Sequence, residues 1–139
     1  MTVEKIMVTS LKRISVAGGD VLHAMKKDDT GFVAFGEAYF SVINKGSTKP
    51  WKRHLRMTLN LVVPVGMVRF LFVDSQGSRR EEMIGVDRYV RLTVPPGIWF
   101  AFEGLTAPYS LLLNVADIPH DPNEIERKEL NEFIDEWGQ

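Results

Sequence analysis

The segment from Gly46 to Gly66 reads G-STKPW-K-R-H-LRMT-L-NLVVPV-G, and the rest of the chain can be organised around it. A glycine stands at each end, where a turn needs backbone conformations that other residues avoid. Inside it, Leu59–Val65 (LNLVVPV) is a β-branched run that reads as a buried strand. Met67–Val73 (MVRFLFV) follows Gly66 directly, so two strands meet there. Moving outward, Phe32–Phe40, Tyr89–Val94, Trp99–Phe102 and Tyr109–Val115 are further strand segments. Turn residues separate them: NKGSTKP at 44–50, DSQGS at 74–78, PPG at 95–97 and TAP at 106–108. Short strands at this spacing predict an all-β sandwich or barrel.

After Asp121 the pattern changes to DPNEIERKELNEFIDEWGQ. Leu130, Phe133, Ile134 and Trp137 form one helical stripe, which predicts a short C-terminal helix over about 122–137. Asp121 or Asn123 serves as its N-cap, and acidic residues in the first turn suit the helix dipole. The stripe is expected to pack on the barrel. The chain of 139 residues is read as a single domain, with the barrel core at about 30–118.

Composition removes several function classes. Hydrophobic residues make up 45% and charged residues 25%, as in ordinary globular proteins. Lys plus Arg number 17 against 18 for Asp plus Glu, which argues against a dedicated nucleic-acid binder. With no cysteine, disulfides, thiolate nucleophiles, zinc–thiolate sites and iron–sulfur clusters are excluded. The start, MTVEKIMVTSLKRI, has no apolar core of signal-peptide length, and the longest apolar run, Leu61–Val65, is too short to span a membrane. The expectation is a cytoplasmic protein with neither membrane nor nucleic acid as partner.

The spacing of Gly46, Lys52, His54, Leu59 and Gly66, followed by Pro95-Pro96-Gly97-Ile98-Trp99-Phe100, resembles the two motifs of the cupins. The resemblance implies a small antiparallel jelly-roll barrel. Metal-binding cupins carry three histidines and a glutamate at the positions held here by Lys52, His54, Leu59 and Phe100. Leu59 and Phe100 cannot coordinate, and one imidazole is not a site, so no metal is expected. No other cofactor is expected either.

Among metal-free cupins the chain resembles the RmlC-like nucleotide-sugar branch, which holds the dTDP-4-dehydrorhamnose 3,5-epimerases and the dTDP-4-keto-6-deoxyhexose 3,4-ketoisomerases. The segments that carry this are Tyr39-Phe40, Lys45-Gly46, Lys49–His54, VPVGMVRFLFVD at 63–74, Leu92–Gly97 and LLLNVADIPHDPNE at 111–124. The resemblance implies an isomerase or epimerase of a 4-keto-6-deoxy nucleotide sugar, active in cell-surface polysaccharide synthesis of the O-antigen type. The alternative is a cupin that binds a nucleotide sugar or carbohydrate without catalysis. It also implies a homodimer, for which Met1–Val16 offers strands.

Such chemistry needs a base near its working pKa and a group that stabilises the enolate oxygen. His54 aligns with the family's catalytic histidine. Lys52, His54 and Arg56 share a strand face, while Arg53 faces away. The expected roles are His54 as base, Lys52 or Lys49 as enolate stabiliser and Arg56 as a diphosphate contact. Asn114 stands where the epimerases carry an acid tyrosine, so Asp117 or His120 is expected to supply the acid or to pair with His54. Tyr39 lies near the sugar or in the core. Trp51 and Trp99 stack on the ligand or fill the barrel.

Overall fold

A computed structural model describes residues 1–136 of the chain. Twelve strands run through them: β1 (Met7–Ser10), β2 (Arg13–Ile14), β3 (Val21–Leu22), β4 (Glu37–Asn44), β5 (Thr48–His54), β6 (Leu59–Val65), β7 (Met67–Val73), β8 (Arg79–Gly85), β9 (Val90–Val94), β10 (Trp99–Gly104), β11 (Tyr109–Ala116) and β12 (Ile125–Arg127). One sheet has the order β1-β9-β6-β11-β4 and the other β12-β5-β10-β7-β8. From β8 onward every connection crosses from one sheet to the other, which is jelly-roll winding. All paired strands are antiparallel. Strands β2 and β3 form a separate two-stranded ribbon.

The facing residues of the two sheets make the main core. Leu59, Leu61 and Val63 from β6 meet Val68, Phe70 and Phe72 from β7, with Phe100 and Phe102 from β10. These are period-two positions, so each strand presents one apolar face inward. On the far side of the first sheet, the loop through Gly31 covers β6 and β9. Arg91 is wholly buried there and donates to the carbonyl oxygens of Ala24 and Thr30. Gly66 turns β6 into β7 at φ 82°, and a Cβ there would stand 2.3 Å from Ser110 Oγ. Glycine is therefore required by both backbone and space. Among the described residues no helix is long and apolar enough to cross a membrane.

Both sheets draw a strand from outside 30–118. Strand β1 adds to the edge of its own first sheet through β9, so the N-terminal segment is used within the chain. Its approach is fixed by Asp74, whose carboxylate accepts from Val3 N at 2.9 Å and from Gln76 and Ser78 N at 3.0 Å each. The bond from Val3, with those from Ser78 and Gln76, holds the Asp74 carboxyl below its ordinary range despite burial. A lowered folded pKa gives stability above the unfolded value of about 3.9 that is lost as pH falls. Asp74→Asn is expected to lower the melting temperature at pH 7, with the gap from wild type closing below pH 4. Melts across pH 2–7 check this.

The predicted helix over 122–137 is not what forms. Residues Pro122–Glu124 make a single 3-10 turn, β12 follows, and Leu130–Glu136 is 3-10 helix with a kink at Phe133. The physical reason is tertiary. Ile125, Glu126 and Arg127 pair with His54, Arg53 and Lys52 at the open edge of β5, and those ladder bonds replace helical ones. Asp121 does cap, accepting from Asn123 N, but it caps only the short turn. Leu130 and Phe133 pack on the outer face of the second sheet as expected. Of the predicted stripe, Trp137 and the side chain of Ile134 lie outside the described residues.

Candidate active site

Alternation along β5 sorts its side chains onto two faces. Lys52 and His54 point between the sheets, while Trp51 and Arg53 point outward. A β-bulge against β10 sets Lys52 opposite Phe100 and Lys49 opposite Phe102, which returns Lys49 to the inner face. The space between the sheets is a small cavity of about 50 Å³ lined by Tyr39, Ser41, Lys52, Leu59, Leu61, Phe100, Phe102, Leu112 and Asn114. That is well short of the roughly 300 Å³ at which ligand cavities begin. Leu59 and Phe100 thus wall the cavity. Among the described residues no group of three or more His, Asp or Glu side chains is placed to hold a metal.

His54 is buried at the end of β5, its ring offset-stacked 6.1 Å from that of Phe100. Its Nδ1 lies 2.5 Å from Glu124 Oε2. The other oxygen of Glu124 accepts from the backbone N–H of Arg56 at 3.1 Å and of Met57 at 3.0 Å. Burial opposes the charge on Glu124, but the bonds from His54, Arg56 and Met57 outweigh it and hold its pKa below the ordinary value. A carboxylate only accepts, so Nδ1 carries the ring proton and Nε2 presents a lone pair.

Burial lowers the His54 pKa below 6.5, against the pull of Glu124, and Lys52 and Arg127 lower it further. The imidazole is therefore neutral at pH 7, as a base must be. Desolvation is the leading cause and the Lys52 charge a lesser one.

Lys52 is also pushed below its usual range, first by burial and then by the charges of Arg127 and Lys49. Two titratable groups on one strand face, each shifted by burial away from its charged form, can move protons on and off a bound ring. A polar pair faces them across the cavity. Asn114 Nδ2 donates to Tyr39 Oη at 3.1 Å, leaving the phenol proton for a ligand, while Asn114 Oδ1 accepts from Asn60 N.

No family model and no curated sequence matches the chain. Solved structures do. A dTDP-sugar isomerase from Desulfovibrio desulfuricans G20 aligns with TM-score 0.89 and 34% identity, over 92% of this chain and 86% of that one. The chain belongs to the dTDP-sugar isomerases of the RmlC-like cupins. A histidine-to-asparagine variant of the 3,4-ketoisomerase QdtA from Thermoanaerobacterium thermosaccharolyticum, solved with TDP-4-keto-6-deoxyglucose, shares the fold at TM-score 0.76 and 20% identity, over 94% and 92% of the two chains. The dTDP-4-dehydrorhamnose 3,5-epimerase of Sulfolobus tokodaii shares it at 0.78 and 18%, over 88% and 76%.

The isomerase fold brings together His54, Lys52, Tyr39 and Asn114, with Lys49 at the rim. It separates the rest. Asp117 accepts from Thr58 N at 2.8 Å and staples a loop, and His120 is exposed. Neither pairs with His54, because Glu124 already does. Trp51 and Trp99 do not face the cavity. Trp51 donates from Nε1 to Leu130 O at 3.0 Å and meets Phe133 edge-on at 4.6 Å. Trp99 lies between Arg53 and Lys128, each 4.8 Å from its ring. The two tryptophans anchor the C-terminal segment that carries Glu124. Arg56 sits beyond β5, exposed and paired with Asp121 at 2.8 Å. Glu124 is the residue that sequence reading missed. The available signal was the Asp121-Pro122 turn just before it, which breaks a helix as readily as it starts one.

Proposed function

We propose that the protein is an isomerase or epimerase of a dTDP-4-keto-6-deoxy sugar that works by metal-free proton abstraction next to the keto group. The observation that carries this reading is the His54–Glu124 pair: a buried, neutral imidazole whose tautomer is fixed by a carboxylate, beside a small cavity that Lys52, Tyr39 and Asn114 line. Substrate binds with its ring among Phe100, Phe102, Leu112 and Tyr39. His54 Nε2 takes the acidic proton, and Lys52 faces the oxygen on which charge develops. Lys49 and Arg56 stand toward the diphosphate. The similarity to the Desulfovibrio isomerase supports the substrate class.

The test is exchange of ring protons of TDP-4-keto-6-deoxyglucose with D2O, followed by NMR. Exchange dependent on His54 is expected. Thermal stabilisation by TDP with no exchange of any ring proton would instead mark a binding protein.

We further propose a cytoplasmic homodimer that supplies cell-surface polysaccharide synthesis. Support for the dimer is the outer face of β4 at the first sheet's edge, where Phe40 is 61% and Val42 53% exposed, with Phe35 at 66% nearby. An apolar edge of this kind is usually covered. Phe40→Asp is expected to give monomers by light scattering at micromolar concentration. A dimer that persists would place the interface elsewhere.

A further inference from the structure

Arg91 is the buried charge that the fold answers least well. Strand β9 turns Val90, Leu92 and Val94 into the main core and Arg91 to the opposite face, under the segment from Ala24 to Thr30. Its guanidinium is wholly buried, and a guanidinium does not give up its proton. Nη1 donates to Ala24 O and Nη2 to Thr30 O, each at 2.9 Å. The carboxylate beside it, Asp29, stands 3.4 Å away, longer than the roughly 2.7–2.9 Å of a strong charge-assisted bond. The same Asp29 oxygen already accepts from Lys26 N at 2.7 Å. Arg91 Nε has no partner among the described residues. A buried cation with an orphan donor costs stability until an acceptor meets it.

A cavity of about 120 Å³ adjoins this guanidinium. Lys12, Lys26 and Arg91 line it against one carboxylate, Asp29, so it is positive even before His23 is counted. Thr9 and Ser10 add hydroxyl donors. The frame is fixed by the fold. Thr9 pairs with Arg91 across β1 and β9, His23 N donates to Lys12 O at 2.9 Å, and Tyr89 Oη donates to His23 O at 2.8 Å. The volume is several times the roughly 10–15 Å³ that one water needs, yet far below that of a nucleotide-sized pocket. It suits one small oxyanion. None of these residues lines the cavity between the sheets.

We propose that this cavity on the outer face of the first sheet is a binding site for inorganic phosphate, separate from the sugar cavity. Phosphate oxygens take the free Nε–H of Arg91 and the ammonium groups of Lys12 and Lys26. The proton that orthophosphate keeps at pH 7 is donated to Asp29. That carboxylate is what selects the ligand. Sulfate has the same shape but no proton, so it sets a bare oxygen against Asp29. A phosphate ester at pH 7 has mostly lost its proton and meets the same repulsion. Bound phosphate completes the guanidinium and ties the Ala24–Thr30 segment to β9 and to the end of β1.

The experiment measures melting temperature and calorimetric binding of the full chain in phosphate, sulfate and chloride at matched ionic strength and pH 7. Phosphate is expected to act saturably, and a dissociation constant of about 1 mM would raise the melting temperature by about 4–8 °C at about 20 mM. Sulfate should bind about tenfold more weakly or worse. The double variant Lys12→Gln/Lys26→Gln alters two exposed side chains, so it should fold and lose about tenfold or more in phosphate affinity. Arg91→Lys removes the orphan donor and should lose phosphate binding as well; if it does not fold, the lysine variant decides. The phosphate shift should also persist in saturating TDP, because the two cavities share no residue. An equal response to chloride, sulfate binding as tightly as phosphate, or undiminished affinity in the lysine variant would overturn the site. So would a phosphate shift that TDP abolishes, which would put the phosphate in the place of the nucleotide's own diphosphate.

Discussion

Glu124→Gln is expected to leave the protein folded and to reduce turnover by on the order of 10³–10⁴-fold. The amide keeps the shape of the carboxylate, and its oxygen can still accept from Arg56 and Met57 N–H. Its NH2 then faces His54 Nδ1. Two donors cannot share that 2.5 Å contact, so the ring proton moves to Nε2 and the lone pair that abstracts protons is lost. Removing the orienting carboxylate of a histidine base has this cost in other enzymes because the wrong tautomer results. Nitrogen chemical shifts of the imidazole check the mechanism directly: Nδ1 protonated in wild type, Nε2 protonated in the variant. Glu124→Ala should behave differently. It strands two backbone donors and the imidazole, and it is expected to cost about 3–5 kcal/mol of stability in chemical denaturation. A Gln variant that keeps full turnover would show that Glu124 serves the fold alone.

His54→Asn is expected to abolish ring-proton exchange, with turnover down about 10²–10⁴-fold and TDP affinity within a few fold. The pH dependence carries a second signature. Because the folded pKa of His54 is depressed, the wild-type base stays neutral below pH 6.5, and kcat/KM should hold there before its acid limb sets in. Lys52→Met removes one of the charges that lower this pKa, so the acid limb should move to higher pH. Stability follows the same linkage. A depressed folded value gives stability present above the unfolded pKa of about 6.5 and lost as pH falls through the folded value, and His54→Asn should remove that part of the slope below about pH 6.5. An unchanged rate of exchange would make His54 a bystander.

The barrel and half of the site could be read from the chain because both rest on local spacing. Turn glycines and period-two apolar residues mark strands whatever the long-range pairing, and the i, i+2 relation of Lys52 and His54 follows from the strand itself. The same parity argument that turned Arg53 outward also turns Trp51 outward, and Trp99 is turned away by its place next to inward-facing Phe100. Those two residues were legible and were overridden by their aromatic character. Glu124 was not legible in this way. It reaches His54 from 70 residues downstream, and the segment around it has helical periodicity that loses to an open sheet edge. Asp117 and His120 attracted roles through their chemistry and nearness in sequence to Asn114. The backbone N–H of Thr58, invisible in any side-chain pattern, decided Asp117 instead.

The three-residue strand β12 gives the site a place in the order of synthesis. His54 and every side chain that walls the cavity precede Ala116, whereas Glu124 and its anchoring strand follow. A ribosome-bound chain that has released only the barrel would hold its histidine without the group that orients it. The carboxylate that orients the proposed base is thus among the last parts of the site to be synthesised. Amide exchange at Ile125–Arg127 would report opening of this edge before global unfolding.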